Sequence, residues 1–129
     1  MNRKVAIIIV SHSVNIGQGI KDLISQVITN VPILMACGID NNEIGTSIEK
    51  IQAVFETMDS EAEGIIFYDL GSAKMNAEMA IEMFGVKNLQ IAEDVPIVEG
   101  AYIAAVESNM GKSKDEILNS LAKLKVKEF

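Results

Sequence analysis

The run Val5-Ala6-Ile7-Ile8-Ile9-Val10, followed at once by Ser11-His12-Ser13, decides how the rest of the chain is read. Six apolar residues in succession, rich in β-branched side chains, describe a strand buried on both faces. Ile16, Ile20, Leu23, Ile24 and Val27 then recur at helical spacing. A strand that breaks into a polar triplet and then a helix is the opening half of a βαβ unit. Open sheets built from such units bind ligands beyond the carboxyl ends of their strands. His12, the only histidine of the chain, stands at that edge. Taken alone, the position reads as an ordinary strand-end histidine bonded to backbone. Its neighbours change that reading.

Working outward, Ile33 to Cys37 is a second strand, ended by the turn residues of Gly38-Ile39-Asp40-Asn41-Asn42. Thr46 with Glu49 offers a capping box for a helix whose apolar face is Ile48, Ile51, Val54, Phe55 and Met58. An acidic connection, Asp59 to Glu63, leads to a third strand, Ile65 to Tyr68, and to Asp69-Leu70-Gly71-Ser72 at its end. Met75, Met79, Ala80, Met83 and Phe84 signal a third helix, and this stripe reads as core or as a subunit contact. Leu89 to Ala92 is a fourth strand. Val95 to Gly100 then enters an alanine-rich helix bearing Ala101, Ala104 and Ala105, which Asn109-Met110-Gly111 stops. Ser113 and Glu116 cap the last helix, and the tail Lys123 to Phe129 fits either a helix end or a short extra edge strand.

Strands alternating with helices predict an α/β fold: an open, mostly parallel sheet of about four strands with helices on both faces. Right-handed crossovers with an assumed flavodoxin-like arrangement, which the sequence alone does not prove, give the strand order 2-1-3-4. That order sets His12 and Asp69 on adjacent strand ends. The whole of residues 1–129 reads as one domain.

With 49% hydrophobic and 22% charged residues the chain is globular, not disordered. Its net charge of −7 argues against nucleic acid or an anionic membrane as the main partner. A small phosphorylated ligand stays open, because local backbone N–H groups offset a global charge. Cys37, the only cysteine, forms no internal disulfide and, with one histidine, no ordinary zinc site; it reads as a small buried filler. Arg3 and Lys4 resemble the start of a signal peptide, but the apolar run that follows is short and lacks a cleavage site. No stretch approaches the roughly 18 apolar residues that span a bilayer. A soluble, cytoplasmic protein is expected.

A neutral imidazole is a competent nucleophile near neutral pH and can hold a phosphoryl group as a phosphoramidate. A carboxylate on one ring nitrogen fixes the tautomer and frees the other nitrogen to attack. Asp69 suits that orienting role. Ser11, Ser13 and Ser72 supply hydroxyl donors for phosphate, and Gly71 allows close backbone approach. The helix start after His12 adds unpaired N–H groups and a positive dipole end. Gly111-Lys112-Ser113 looks like the end of a P-loop, but Val106 stands where its first glycine belongs, and the triplet follows a helix. An aspartyl-phosphate receiver needs acidic magnesium ligands at the end of the first strand, where Ser11, His12 and Ser13 stand.

Five segments, VSHS (Val10 to Ser13), IGTS (Ile44 to Ser47), DLGSA (Asp69 to Ala73), NAEMA (Asn76 to Ala80) and PIVEGA (Pro96 to Ala101), resemble the mannose-type EIIA family. Within it they are most similar to the phosphotransferase subunits of bacterial dihydroxyacetone kinases driven by the phosphoenolpyruvate phosphotransferase system. The resemblance implies that His12 accepts phosphate from phospho-HPr, at Nε2 by analogy, and passes it to ADP on a partner subunit, DhaL. ATP formed there phosphorylates dihydroxyacetone on a third subunit, DhaK. No cofactor is then needed on this chain, because ADP and ATP are held by the partner, and a homodimer is expected. Some relatives carry HPr-like and enzyme I-like domains after this one; the chain ending at Phe129 is expected to receive phosphate from separate proteins. The family commonly has Asp and Pro after IGT, where Ser47 and Ile48 stand, so Thr46 and Ser47 read mainly as helix caps. Delivery of phosphate to a sugar transporter, or regulation through the phosphorylation state of His12, are the alternative functions.

Overall fold

The computed structural model describes residues 4–126. Its strands are β1 (Ala6–Ser11), β2 (Ile33–Cys37), β3 (Gly64–Tyr68) and β4 (Leu89–Ile91). Its helices are α1 (Val14–Ser25), α2 (Ile48–Glu56), α3 (Gly71–Phe84), α4 (Ile97–Asn109) and α5 (Lys114–Leu121). The sheet is parallel throughout, with the order β2-β1-β3-β4 expected from the sequence. The reversal at β1 and β3 opens a crevice between their carboxyl ends.

Every residue of β1 is buried, because its alternate side chains enter two separate cores. Ile7 and Ile9, with Ile65 and Phe67 of β3, meet α1, α4 and α5 through Ile20, Ile24, Ala101, Ala104, Ala105, Ile117 and Leu121. Ile8 and Val10, with Ile66, meet α2 and α3 through Ile51, Phe55, Ala73, Ala77 and Ala80. Full burial of one isoleucine is worth about 1.5–3 kcal/mol, so the central strands carry much of the apolar stabilisation. Ser108, buried within α4, donates to the Val5 carbonyl at 2.7 Å and pins that helix to the sheet.

Two apolar faces expected from periodicity differ in the structure. Of the residues expected to form the α1 face only Ile20 and Ile24 are buried; Ile16, Leu23 and Val27, the last beyond the helix end, stay half exposed. The contact runs instead through Gly17, Ile20 and Ile24, which lets the helix lie close to β2. In α3 the buried face is Ala73, Ala77 and Ala80, and Met75, Met79 and Met83 face outward at 47–63% exposure. The methionine stripe is therefore not core of this chain. Small residues win the inner face because they let the helix backbone approach the sheet.

Smaller differences follow local chemistry. Ser47 rather than Thr46 caps α2, accepting from the Lys50 amide at 3.2 Å. The capping box of Ser113 and Glu116 on α5 forms as expected, and Gly111, at φ +86°, makes the break before it. The P-loop-like triplet is thus a helix stop and restart. Lys123 and Leu124 lie in a final 3-10 turn; the described sheet has four strands, and residues 127–129 of the tail lie outside the described residues.

Cys37 is buried, donates to the Ile9 carbonyl at 3.4 Å, and its thiol is pushed up mainly by burial. A methyl group at Gly17 would run into its Sγ. At Gly19, two residues on, a methyl group meets nothing. Gly17→Ala is therefore expected to destabilise by about 1–3 kcal/mol through overpacking. Gly19→Ala should stabilise by about 0.5–1 kcal/mol through helix propensity. Urea unfolding of the pair checks the opposite signs.

Candidate functional site

The site begins where β1 runs out. His12 follows the last strand residue, and Ser13 caps α1 by accepting from the Ile16 amide at 3.2 Å. One strand over, Asp69 follows β3, and α3 starts two residues later at Gly71. The parallel register pairs Val10 with Tyr68, so the next residues on each chain meet across the crevice.

There His12 Nδ1 lies 2.9 Å from Asp69 Oδ1, and Nε2 lies 2.8 Å from the Ser72 hydroxyl oxygen. Asp69 collects four donors. Oδ1 takes the His12 ring and the Leu70 amide at 2.7 Å; Oδ2 takes the His12 amide and the Ser11 hydroxyl, both at 2.9 Å. Burial by itself raises the carboxyl group, but the bonds from His12, Ser11 and Leu70 outweigh it and hold Asp69 below its ordinary value. An ionised carboxylate only accepts. Nδ1 therefore carries the proton in the neutral ring, and the Nε2 lone pair faces the Ser72 hydroxyl, which donates to it. The tautomer follows from the carboxylate.

Sequence-expected residues fall into two groups here. His12, Asp69 and Ser72 are brought together as a hydrogen-bonded row. Gly71 sits beside them at the exposed start of α3, whose first amides have no side-chain cap, and added bulk at Gly71 would meet nothing within 4 Å. Those amides and the dipole of a 14-residue helix suit an anion held at Nε2. Ser13 lies half-buried at the helix start with its oxygen engaged in the cap. Ser11 is different: it is wholly buried, with its hydroxyl bonded to Asp69 and to the Ser13 amide, so it is not exposed to an incoming phosphate.

The loop after β2 forms the other wall. It turns at Gly38, whose φ of +72° and nearness to Val14 exclude a side chain. The Gly45 amide donates to the His12 carbonyl at 2.8 Å, and Thr46 accepts from the Asn76 side chain of α3 at 2.6 Å. Thr46 thus ties the loop to the helix that carries Ser72, instead of capping α2. The segments IGTS and NAEMA contain both partners, but spacing along the chain offers no sign that they meet. Among the described residues, no three His, Cys, Asp or Glu side chains are grouped to hold a metal ion.

The family model described as the PTS system fructose IIA component, EIIA-man, matches residues 6–118. The chain belongs to the mannose-type EIIA family. Among its relatives is the phosphotransferase subunit DhaM of the PTS-dependent dihydroxyacetone kinase of Lactococcus lactis. It is 38% identical over 123 residues, covering 95% of this chain and 97% of the relative. The phosphoryl donor subunit DhaM of the PEP-dependent dihydroxyacetone kinase 1 of Listeria innocua is 34% identical over 128 residues, covering 98% and 100%. The solved structure of a protein of unknown function, EF1359, superposes with a TM-score of 0.87 at 32% identity, over 98% of this chain and 99% of that one. Within the EIIA family the chain stands in the DhaM group, as the resemblance of its motifs implied. No helix among the described residues is long and apolar enough to cross a membrane.

Proposed function

We propose that this protein is the phosphohistidine carrier of a dihydroxyacetone kinase system, with His12 Nε2 as the atom that bears the phosphoryl group. One observation carries the reading: an ionised Asp69 occupies Nδ1, and Nε2 keeps its lone pair at an open edge beside the uncapped α3. In the first step the lone pair attacks the phosphorus of phospho-HPr in line; a new P–N bond forms as the donor's P–N bond breaks, and HPr leaves with its own lone pair restored. Asp69 neutralises the positive charge that develops on the ring. The Ser72 hydroxyl, released from Nε2, turns to donate to a phosphoryl oxygen, and the first amides of α3 add to that hold.

In the second step an oxygen of the terminal phosphate of ADP, bound on DhaL, displaces the imidazole, giving ATP and free His12. The nucleotide stays on the partner, so this chain uses no cofactor of its own, and dihydroxyacetone is phosphorylated on DhaK. The names of the DhaM relatives support this acceptor over a sugar transporter subunit. A cytoplasmic homodimer completes the proposal. The outward methionines of α3 and the apolar groove between Leu23, Val27, Val98 and Tyr102 are surfaces available to a second copy.

The test is intact mass after incubation with phosphoenolpyruvate, enzyme I and HPr, followed by ADP-loaded DhaL. One acid-labile phosphoryl group that maps to His12 and leaves for ADP is the expected result. A phosphoryl group that forms and ignores ADP would move the protein to the transporter or regulatory reading. No phosphoryl group at all would return His12 to an ordinary strand-end histidine.

A further inference from the structure

Ser11 ends β1 with none of its surface exposed, an unusual place for a hydroxyl unless its bonds matter. Its oxygen lies 2.9 Å from Asp69 Oδ2 and 3.1 Å from the Ser13 amide nitrogen. The amide can only donate, so the Ser11 oxygen accepts from Ser13 and its one hydrogen is left for Asp69. A hydroxyl that accepts on one side and donates on the other is polarised in the direction that strengthens the second bond. The chain of contacts runs from the first turn of α1, through Ser11, to the carboxylate that faces His12.

The carboxylate needs such a hold. Rotation about the last bond of an aspartate is soft, with no sharp staggered wells. Asp69 Oδ1 must stay on Nδ1 for the tautomer to be kept, and that depends on what grips Oδ2. Two groups do so: the His12 amide and the Ser11 hydroxyl. Among the described residues Ser11 is the only side chain besides the histidine that donates to Asp69, and of the donors to Asp69 it alone lies within β1.

We propose that Ser11 is a positioning residue for phosphoryl transfer, its buried hydroxyl holding the Asp69 carboxylate so that His12 keeps its proton on Nδ1 and reacts at Nε2. The inference deepens the phosphocarrier reading and rests on it for the transfer step. It also replaces the role of phosphate contact expected for Ser11 from the sequence, since its single hydrogen goes to Asp69 and its side chain is wholly buried. A purely structural hydroxyl would satisfy the Ser13 amide and nothing more. Its loss would then weaken the fold without touching the imidazole.

The deciding experiment is nitrogen-15 NMR of the His12 ring in the wild type, Ser11→Ala and Ser11→Thr, joined to single-turnover phosphorylation by phospho-HPr. Thermal unfolding first sets a temperature at which all three are folded. The wild type and Ser11→Thr should show the Nδ1–H tautomer and similar rates. Ser11→Ala should show a large fraction with the proton on Nε2 and a rate roughly 2–10-fold lower, in proportion to the Nδ1–H tautomer lost. A wild-type tautomer in Ser11→Ala, whatever its rate, overturns the proposal; so does a folded Ser11→Thr that behaves like Ser11→Ala. The ring spectra need no phosphoryl donor. A wild type that takes no phosphate would therefore sink the phosphocarrier reading, while the tautomer result still judges Ser11.

Discussion

His12→Ala is expected to take up no phosphoryl group from phospho-HPr, with transfer to ADP lost below detection. The chain has no second histidine, and the serine whose hydroxyl donates to the Asp69 carboxylate, Ser11, is wholly buried, so no residual acceptor remains. The fold should survive. The ring is partly exposed, and Asp69 retains the Ser11 hydroxyl and the His12 and Leu70 amides after truncation. No buried acceptor is orphaned, and the cost should stay within about 1 kcal/mol, the net worth of an ordinary hydrogen bond. Mass spectrometry reads the phosphate and denaturant unfolding reads the fold. A folded His12→Ala that still gains an acid-labile phosphate would place the acceptor elsewhere.

The second large effect concerns Asp69, and it distinguishes two substitutions. Asp69→Asn keeps the shape but replaces one acceptor oxygen with a donor. With the amide nitrogen on the Oδ1 side, it faces the ring nitrogen and favours a lone pair on Nδ1. The proton then moves to Nε2, which loses its nucleophilic lone pair. In serine proteases the same exchange on the orienting aspartate traps the wrong tautomer and costs roughly 10⁴-fold. A loss of about 10³–10⁴-fold in phosphorylation rate is expected here by the same logic. Asp69→Ala imposes no wrong tautomer, and roughly 10–100-fold is expected. Single-turnover kinetics of both variants test the order, and an asparagine variant as fast as the alanine variant would refute tautomer control.

Asp69→Ala should also lower stability by about 2–3 kcal/mol at neutral pH, because it strands the buried Ser11 hydroxyl and two amides without their acceptor. The pH dependence has a definite sign. Asp69 is held below its ordinary value in the folded protein, so its contribution is complete above the unfolded carboxyl value of about 3.9. It fades as the pH falls through the lower folded value. The stability gap between wild type and Asp69→Ala should therefore be constant from neutral pH to about 5 and shrink below about 4.

Much of this architecture was legible because it rests on short-range signals. A six-residue β-branched run can hardly be buried except between two helical layers, and three more strands alternating with helices impose the crossovers. Ser113 with Glu116 announced its capping box because both ends of the motif lie within one turn. His12 and Asp69 could be paired because the assumed flavodoxin-like order sets the ends of β1 and β3 side by side, as the structure does. Where two local readings competed, spacing was not enough. Thr46 and Ser47 are both good caps; Ser47 takes the role, and Thr46 is drawn away by Asn76, thirty residues on.

The sequence by itself determined the alternation of strands and helices, the edge at which His12 stands and the family to which the chain belongs. It did so because periodicity, turn chemistry and motif order are written in neighbouring residues. The strand order was an assumed flavodoxin-like one, and the tertiary structure supplied it. The tertiary structure alone decided which face of α3 is core. Hydropathy favours methionine over alanine, but close approach to the sheet favours the smaller side chain, and only the packed helix shows which prevails. It alone also turned Ser11 inward and gave Asp69 its four donors. A hydroxyl at a strand end can face water or carboxylate, and that choice depends on a partner 58 residues away.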